Sequence, residues 1–180
     1  KPIQKNLRRL FAGQRPWIVA PCDQLRLVGL NSLPVNYVGH HQSHAAAGFY
    51  TSPFEDATIL VVDAIGEWDT ISIWGAEYVD GKAKYTKLWR QRYPHSIGLF
   101  YSAMTQRAGL KPNEEEYILM GMSAYGERGY GALMAQDYIT HEYEIKFGEN
   151  FHAGVSPSYL NHMSNEDIAA GAQEIAEQLI

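Results

Sequence analysis

The chain has 180 residues, 46% of them hydrophobic and 19% charged, a composition typical of a globular protein with one domain or two small lobes. Its formal net charge of −5 argues against a nucleic-acid-binding protein, which usually carries a basic face. No run of about 18 apolar residues occurs, so no membrane-spanning segment is predicted. A single cysteine, Cys22, excludes an intrachain disulfide and fits a reducing, cytoplasmic compartment.

The first half of the chain predicts a helix followed by three strands. Short apolar runs in 17–38, broken by prolines and a glycine, predict one or two strands with loops. The alanine-rich segment 40–50 predicts a helix that ends before the next proline. The β-branched run 57–64 predicts a buried strand, and the patterns of 69–79 and 83–93 predict its two neighbours. Because the connections are short, these three strands should form an antiparallel meander.

Helical patterns dominate the second half. We predict helices over 96–109, 114–122 and 129–141, and a short strand over 142–147. A last helix should begin at Ser164, where a capping-box-like pattern precedes an apolar stripe. This stripe continues to the end of the chain, so we expect the chain to be a piece of a larger protein. The order of elements predicts an α+β or mixed α/β layout.

Two histidines, His40 and His44, form the first candidate site. On a helix, residues four apart lie on one face, and paired imidazoles at this spacing are a common start of a zinc or iron site. The segment is not a zinc-protease helix, because His41 stands where that motif requires a glutamate. The alternative is a pair of exposed or core histidines without a ligand.

Asp63 is the second candidate, because it lies at the end of the predicted strand 57–64. Gly66 would let the backbone bend tightly and expose N–H groups that cradle an anion or a metal-bound ligand. Asp63 would then bind a metal or orient a bound water. The alternative is a plain hairpin whose aspartate caps the turn.

Two further segments combine small and polar residues. Ser96, after His95, is a good N-cap at a helix start that could also receive an anion, and capping alone explains it. Gly121 and Gly126 flank small residues, which indicates either a loop passing close to a ligand or simple helix termination.

Taken together, these segments resemble the carbamoyltransferase family that includes the nodulation and antibiotic-tailoring O-carbamoyltransferases. The resemblance covers roughly residues 34–126, and Asp167 to Ala170 with Gln173 resemble the family's next helix. The matching pieces, in the family's order, are HHQSHAA from His40, SPF from Ser52, VVD from Val61, GEW from Gly66, YPHSIGL from Tyr93, LMG from Leu119 and AYG from Ala124.

The resemblance implies an α/β fold of the actin-like ATPase (ribonuclease H-like) type, with two related lobes. Residues 1–180 would be the middle portion of one such domain, made of the antiparallel meander and helices. The first strands of that domain and the C-terminal carbamoyl-adenylate-forming domain would lie outside this chain. On this basis we expect the 180-residue chain alone to bind metal weakly and to be inactive.

The resemblance also implies a reaction and a set of site residues. A carbamoyl group would pass from carbamoyl-adenylate, made from carbamoyl phosphate and ATP, to a hydroxyl of a small-molecule acceptor such as a sugar or an antibiotic. Iron is the favoured metal, with zinc and magnesium as alternatives; a homodimer is left open. The implied metal ligands are His40, His44 and Asp63; the implied catalytic residues are Asp63 and His44; the implied cofactor-binding residues are Asp63, Ala64, Ile65, Gly66, Glu67 and Gly121.

One residue departs from the family pattern. Ile118 stands where the family commonly has a lysine before its Met-Gly pair. This departure keeps open a non-catalytic metal- or nucleotide-binding module of the same fold. The related threonylcarbamoyl-adenosine synthase, which modifies tRNA, is the alternative enzyme.

Overall fold

The computed structural model of the chain describes residues 25, 28–30, 33–141 and 145–180. The chain divides into two compact units, Lys1–Val38 and Gly39–Ile180. The strands predicted within 17–38 lie almost entirely outside the described residues. Every regular element below belongs to Gly39–Ile180.

The second unit begins with a helix and a three-stranded sheet and continues mainly as helices. Its described part contains helix α1 (His40–Tyr50), strands β1 (Asp56–Gly66), β2 (Asp69–Val79) and β3 (Lys82–Arg92), helices α2 (Ile97–Arg107), α3 (Glu116–Met122) and α4 (Tyr130–Tyr138), strands β4 (Ile139–His141) and β5 (Lys146–Phe147), and helix α5 (Asn165–Leu179).

The three long strands form the predicted antiparallel meander, with order β1-β2-β3. Val61 pairs with Ser72, and the register of β1 against β2 is irregular between Val62 and Gly66. The prediction that 57–64 is a buried strand was wrong in degree. Only Val61 in that run is buried, because α1 covers one face of β1 there, while Thr58 and Leu60 on the other face are exposed. The apolar run correctly predicted a strand, but it did not predict how many faces of that strand other elements cover.

Helix α1 packs on one face of this sheet. Ala45 of the helix, Val61 of β1 and Trp74 of β2 form a small buried cluster. Phe49, one turn further along α1, is also buried and lies against the ring of Tyr78 with centroids 5.1 Å apart. This packing sets the rotation of α1 and therefore decides which of its histidines face the sheet.

The helices form a second, larger core with the end of the meander. Its fully buried members include Phe100 and Met104 of α2, Leu119 of α3, and Ile168 of α5. The predicted cap of the last helix is confirmed, since Ser164 Oγ accepts a hydrogen bond from the Asp167 amide at 3.1 Å. In the part of the chain that is described, no helix is long and apolar enough to span a bilayer.

The prediction of one helix over 129–141 was wrong at its end. Helix α4 stops at Tyr138, and Ile139–His141 is a strand that pairs with Lys146–Phe147. The Tyr138 carbonyl accepts a hydrogen bond from the Gly148 amide at 2.7 Å, which begins this pairing. Of the strand predicted over 142–147, residues 146–147 are confirmed and 142–144 lie outside the described residues.

Candidate metal centre

His40 and His44 point the same way from α1, as the spacing predicted. Their Nε2 atoms lie 3.0 Å apart and both side chains are exposed. His41, which lies between them in sequence but on another face of the helix, faces the sheet and is buried. The helix therefore presents one pair of imidazoles to solvent and uses the third for packing.

Asp63 completes a group of three ligand atoms. Its Oδ2 atom lies 2.7 Å from His40 Nε2 and 3.7 Å from His44 Nε2. Its Oδ1 atom accepts a hydrogen bond from the Ala64 amide at 2.6 Å, which orients the carboxylate. One ligand atom from each of His40, His44 and Asp63 lies within 4.8 Å of the others.

The separations of these atoms fit a bound transition-metal ion. Ligands that bind a tetrahedral zinc-like ion at about 2.1 Å are about 3.4 Å from one another. The three observed distances, 2.7, 3.0 and 3.7 Å, bracket that value. Two imidazole nitrogens and one carboxylate oxygen are a donor set that suits iron and zinc. A metal here would have open coordination positions, because the group is accessible to solvent.

The start of α2 holds the backbone beside Asp63. Ser96 is fully buried, donates a hydrogen bond to the Ala64 carbonyl at 2.7 Å, and accepts one from the Leu99 amide at 3.1 Å. The predicted helix cap is thus confirmed, and the same hydroxyl ties α2 to β1. A Cβ atom on Gly98 would lie 2.8 Å from the Ala64 Cα and amide nitrogen, so only glycine allows this approach.

Replacing Gly98 with alanine should destabilise the protein by about 1–3 kcal/mol, because backbone atoms of β1 cannot yield as a flexible side chain could. Gly48→Ala is the matched control, since a Cβ at this exposed position in α1 meets nothing within 4 Å. That variant should be neutral or more stable by about 1 kcal/mol from helix propensity. Urea denaturation of both variants measures the difference; equal stabilities would show that β1 adapts freely.

Gly66 has a different role from the predicted one. It does not adopt a left-handed conformation; the residue that does so in this hairpin is Glu67, with φ of 61°. A Cβ on Gly66 would lie 2.5 Å from the ring of His41 and 2.6 Å from that of His40. Glycine is therefore required because the histidine rings pack directly on the hairpin backbone.

His41 anchors the histidine helix to β2, and sequence reasoning missed it. Its Nδ1 atom lies 2.6 Å from Ser72 Oγ, which also accepts a hydrogen bond from Trp74 Nε1 at 2.8 Å. Its Nε2 atom is buried and has no hydrogen-bond partner among the described residues. Burial lowers the pKa of His41, although the backbone of Asp69 and the charges of Asp69 and Asp63 oppose this shift. A neutral His41 adds no positive charge beside the candidate metal ligands.

Ser72→Ala should lower the free energy of unfolding by about 1–3 kcal/mol, because two buried ring nitrogens lose their shared partner. Ser43→Ala is a suitable control, since the Ser43 hydroxyl is exposed and bonds only to backbone carbonyls of its own helix. We expect that control to change stability by less than about 0.5 kcal/mol. If both variants denatured at the same urea concentration, the His41 anchor would contribute nothing.

A cavity of about 310 Å³ reaches the two residues that follow Asp63. Ala64 and Ile65 belong to its lining, and Leu99 and Phe151 contribute apolar surface. This volume is at the lower end of the range for small-molecule sites, which are mainly apolar with a few polar groups. The polar part of the lining is formed by Ser102, Gln106, Asn113 and His152.

The other predicted binding residues are placed less closely together. Gly66 and Glu67 lie at the hairpin and do not line the cavity. Gly121 is part of helix α3, not of a loop, and its surroundings are open. Gly126 makes the tight approach that small residues suggested, but to the Glu166 carbonyl of α5, which a Cβ would approach to 2.1 Å. A ligand contact at Gly121 stays a prediction.

Comparison with known proteins finds one matching family, described as carbamoyltransferase N-terminus, over residues 14–180. An uncharacterized protein of Synechocystis sp. is 42% identical over 106 residues, which are 59% of this chain and 17% of that protein. An uncharacterized protein of Methanocaldococcus jannaschii is 32% identical over 104 residues, 52% of this chain and 17% of that protein. Nodulation protein NolO of Bradyrhizobium diazoefficiens is 26% identical over 156 residues, 79% of this chain and 27% of that protein. The chain thus spans between 17% and 27% of the length of these relatives.

Proposed function

The chain belongs to the carbamoyltransferase family, whose N-terminal region it matches, and from this premise we propose that it forms part of a metal-dependent O-carbamoyltransferase. The donor is carbamoyl-adenylate, made from carbamoyl phosphate and ATP, and the acceptor is a hydroxyl of a small molecule. In the transfer step the acceptor oxygen bonds to the carbamoyl carbon, AMP leaves, and the hydroxyl proton is released.

The observation that carries this proposal is the convergence of His40, His44 and Asp63. Three donor atoms from two separate elements lie within 4.8 Å of one another, and the two histidines that carry two of them are exposed. An ordinary surface histidine pair does not require a carboxylate at 2.7 Å or a glycine beneath the rings. A divalent metal held there, with iron favoured, would supply a Lewis acid for a carbonyl or phosphate oxygen of the substrate.

The chain's own residues would position the reacting groups. The Ala64 amide and the α2 start hold Asp63, so its carboxylate keeps one orientation toward His40 and His44. The Asp63 charge would also stabilise positive charge near the reacting centre. Such positioning depends on rigid elements, and here both the helix and the strand that carry the ligands are packed on a core.

The cavity next to Asp63 supports a substrate pocket at this place. We assign Ala64 and Ile65 to the wall of the pocket for carbamoyl-adenylate or the acceptor. The apolar surface of Leu99 and Phe151 would cover a ring, and the polar side chains would hydrogen-bond to hydroxyl or amide groups. The proposal also places this α/β unit within a larger actin-like domain of which the chain is one portion.

The test uses the complete enzyme with carbamoyl phosphate, ATP and a panel of hydroxyl-bearing acceptors, followed by mass spectrometry. We expect an acceptor product heavier by one carbamoyl group, together with AMP, only when the metal is present. Chelation followed by addition of Fe²⁺ should remove and restore this product. Metal binding without any carbamoylated product or AMP would instead favour a non-catalytic module, for which Ile118 is the sequence argument.

A further inference from the structure

Strand β3 concentrates the positive charge of this otherwise acidic protein. The chain has 15 lysines and arginines and a net charge of −5. Five of these cations lie within the 11 residues of β3, which contains no acidic residue. Among the described residues β3 is an edge strand of the sheet. Lysines on such a strand keep it from pairing with other chains, which explains Lys82 and Lys84; Lys84 Nζ lies 3.8 Å from Glu77 Oε1.

The other three cations, Lys87, Arg90 and Arg92, differ from this pair because they converge on a single carboxylate. Lys87 Nζ lies 2.7 Å from Asp69 Oδ2, while Arg90 and Arg92 approach Asp69 Oδ1 to 3.8 and 3.6 Å. Asp69 is buried. Within the described residues it is the one acidic group that pairs with these cations. Three positive charges therefore share one negative charge, and an excess of two remains.

Like charges held this close repel one another unless an anion compensates them. Lys87 is anchored, since it bonds Asp69 and lies over the Trp74 ring at 4.8 Å. Burial alone would raise the pKa of Asp69, but the hydrogen bond and charge of Lys87 and the charge of Arg90 lower it, so the carboxylate stays ionised. The guanidinium groups of Arg90 and Arg92 are about half exposed and make no hydrogen bond to another described residue.

We propose that Lys87, Arg90 and Arg92 form a binding site for a phosphate group. Two excess positive charges match a phosphate dianion, and the planar fork of each guanidinium suits its oxygens. Asp69 supports the site by orienting the three cations. The site does not depend on the enzymatic function proposed above, because it uses none of the candidate metal ligands.

The position of this site gives it a place next to the metal centre. Asp69 is the direct cross-strand partner of Gly66, on which the rings of His40 and His41 pack. Asp69 also acts electrostatically on His41. A phosphate group bound at Arg90 and Arg92 would thus lie at the same end of the hairpin as Asp63. The site would recognise the phosphate oxygens, which are present both in free phosphate and in a phosphate ester of a nucleotide.

The experiment is calorimetric titration of the protein with inorganic phosphate and, separately, with AMP. EDTA is present to exclude metal, and sodium chloride keeps the ionic strength equal. We expect the double variant Arg90→Gln/Arg92→Gln to bind phosphate about tenfold or more weakly than wild type, since charge-assisted hydrogen bonds are lost. Lys87 keeps its contact with Asp69 in this variant, so no buried charge is left unpaired.

Lys82→Gln/Lys84→Gln is the matched control, because it also removes two positive charges from β3. This control should bind phosphate within about twofold of wild type, because exposed charges without convergent geometry contribute little. Tighter binding of AMP than of phosphate would identify a nucleotide ester as the source, and the reverse would identify free phosphate. Equal weakening in both double variants, or no binding of either probe to wild type at about 10 mM, would overturn the proposal. Melting curves for all variants exclude loss of the fold as the cause.

Discussion

Replacing Asp63 with asparagine should reduce carbamoyl transfer by the complete enzyme about 100-fold or more while leaving the fold intact. The amide oxygen can still accept the Ala64 N–H bond that orients this side chain. The charge that faces His40 at 2.7 Å is lost, and with it one of the three proposed metal ligands. Turnover of the purified variant beside wild type measures the effect, and a melting curve on each checks the fold.

Asp56→Asn provides the control for this experiment, because Asp56 begins the same strand and is exposed. It should retain wild-type turnover. If Asp63 served only as a turn cap, asparagine would replace it almost without loss, since both residues form the same local hydrogen bonds. Near-normal turnover of the Asp63 variant would therefore refute its assignment as a ligand.

Replacing His44 with alanine in the complete enzyme should weaken binding of Fe²⁺ or Zn²⁺ about 100-fold or more. Mutating a residue that only supports a metal ligand typically lowers metal affinity about 10- to 100-fold. Removing a ligand itself should lower the affinity at least as much, here by about two orders of magnitude. The helix should persist, because the His44 side chain is exposed and alanine is the best helix former. Calorimetry under anaerobic conditions measures affinity, and the visible spectrum of bound Co²⁺ reports the ligand set.

His162→Ala is the matched control, since His162 is exposed and lies outside the candidate site. It should bind metal as wild type does. A Co²⁺ spectrum that is unchanged in the His44 variant would show that the ion binds elsewhere. Equal metal affinity of the His44 and His162 variants would show that His40 and His44 are ordinary surface residues.

Local patterns predicted most of the fold. The bounds of α1 and β2 were predicted to the residue, and those of β3 to within one residue, since helix periodicity, β-branched runs and turn residues act over short distances. The prediction of one helix over 129–141 was wrong because pairing between two short strands decides how that segment ends. Residues 139–141 form a strand because they pair with β5, whereas the helix predicted over 114–122 is confirmed over Glu116–Met122 and includes Gly121.

For the candidate site, too, the local sequence predicted one part and the tertiary structure decided the rest. The spacing of His40 and His44 determined that their side chains share a face, because helix geometry alone places residues four apart together. Only the tertiary structure decided that Asp63 meets them, that His41 is buried on Ser72, and that Gly66 and Gly98 admit the close packing around the hairpin. These contacts join residues that are between 19 positions apart, for His44 and Asp63, and 34 positions apart, for Ala64 and Gly98. They depend on the irregular register of β1 and on the angle at which α1 and α2 pack, and neither is encoded by any single local pattern.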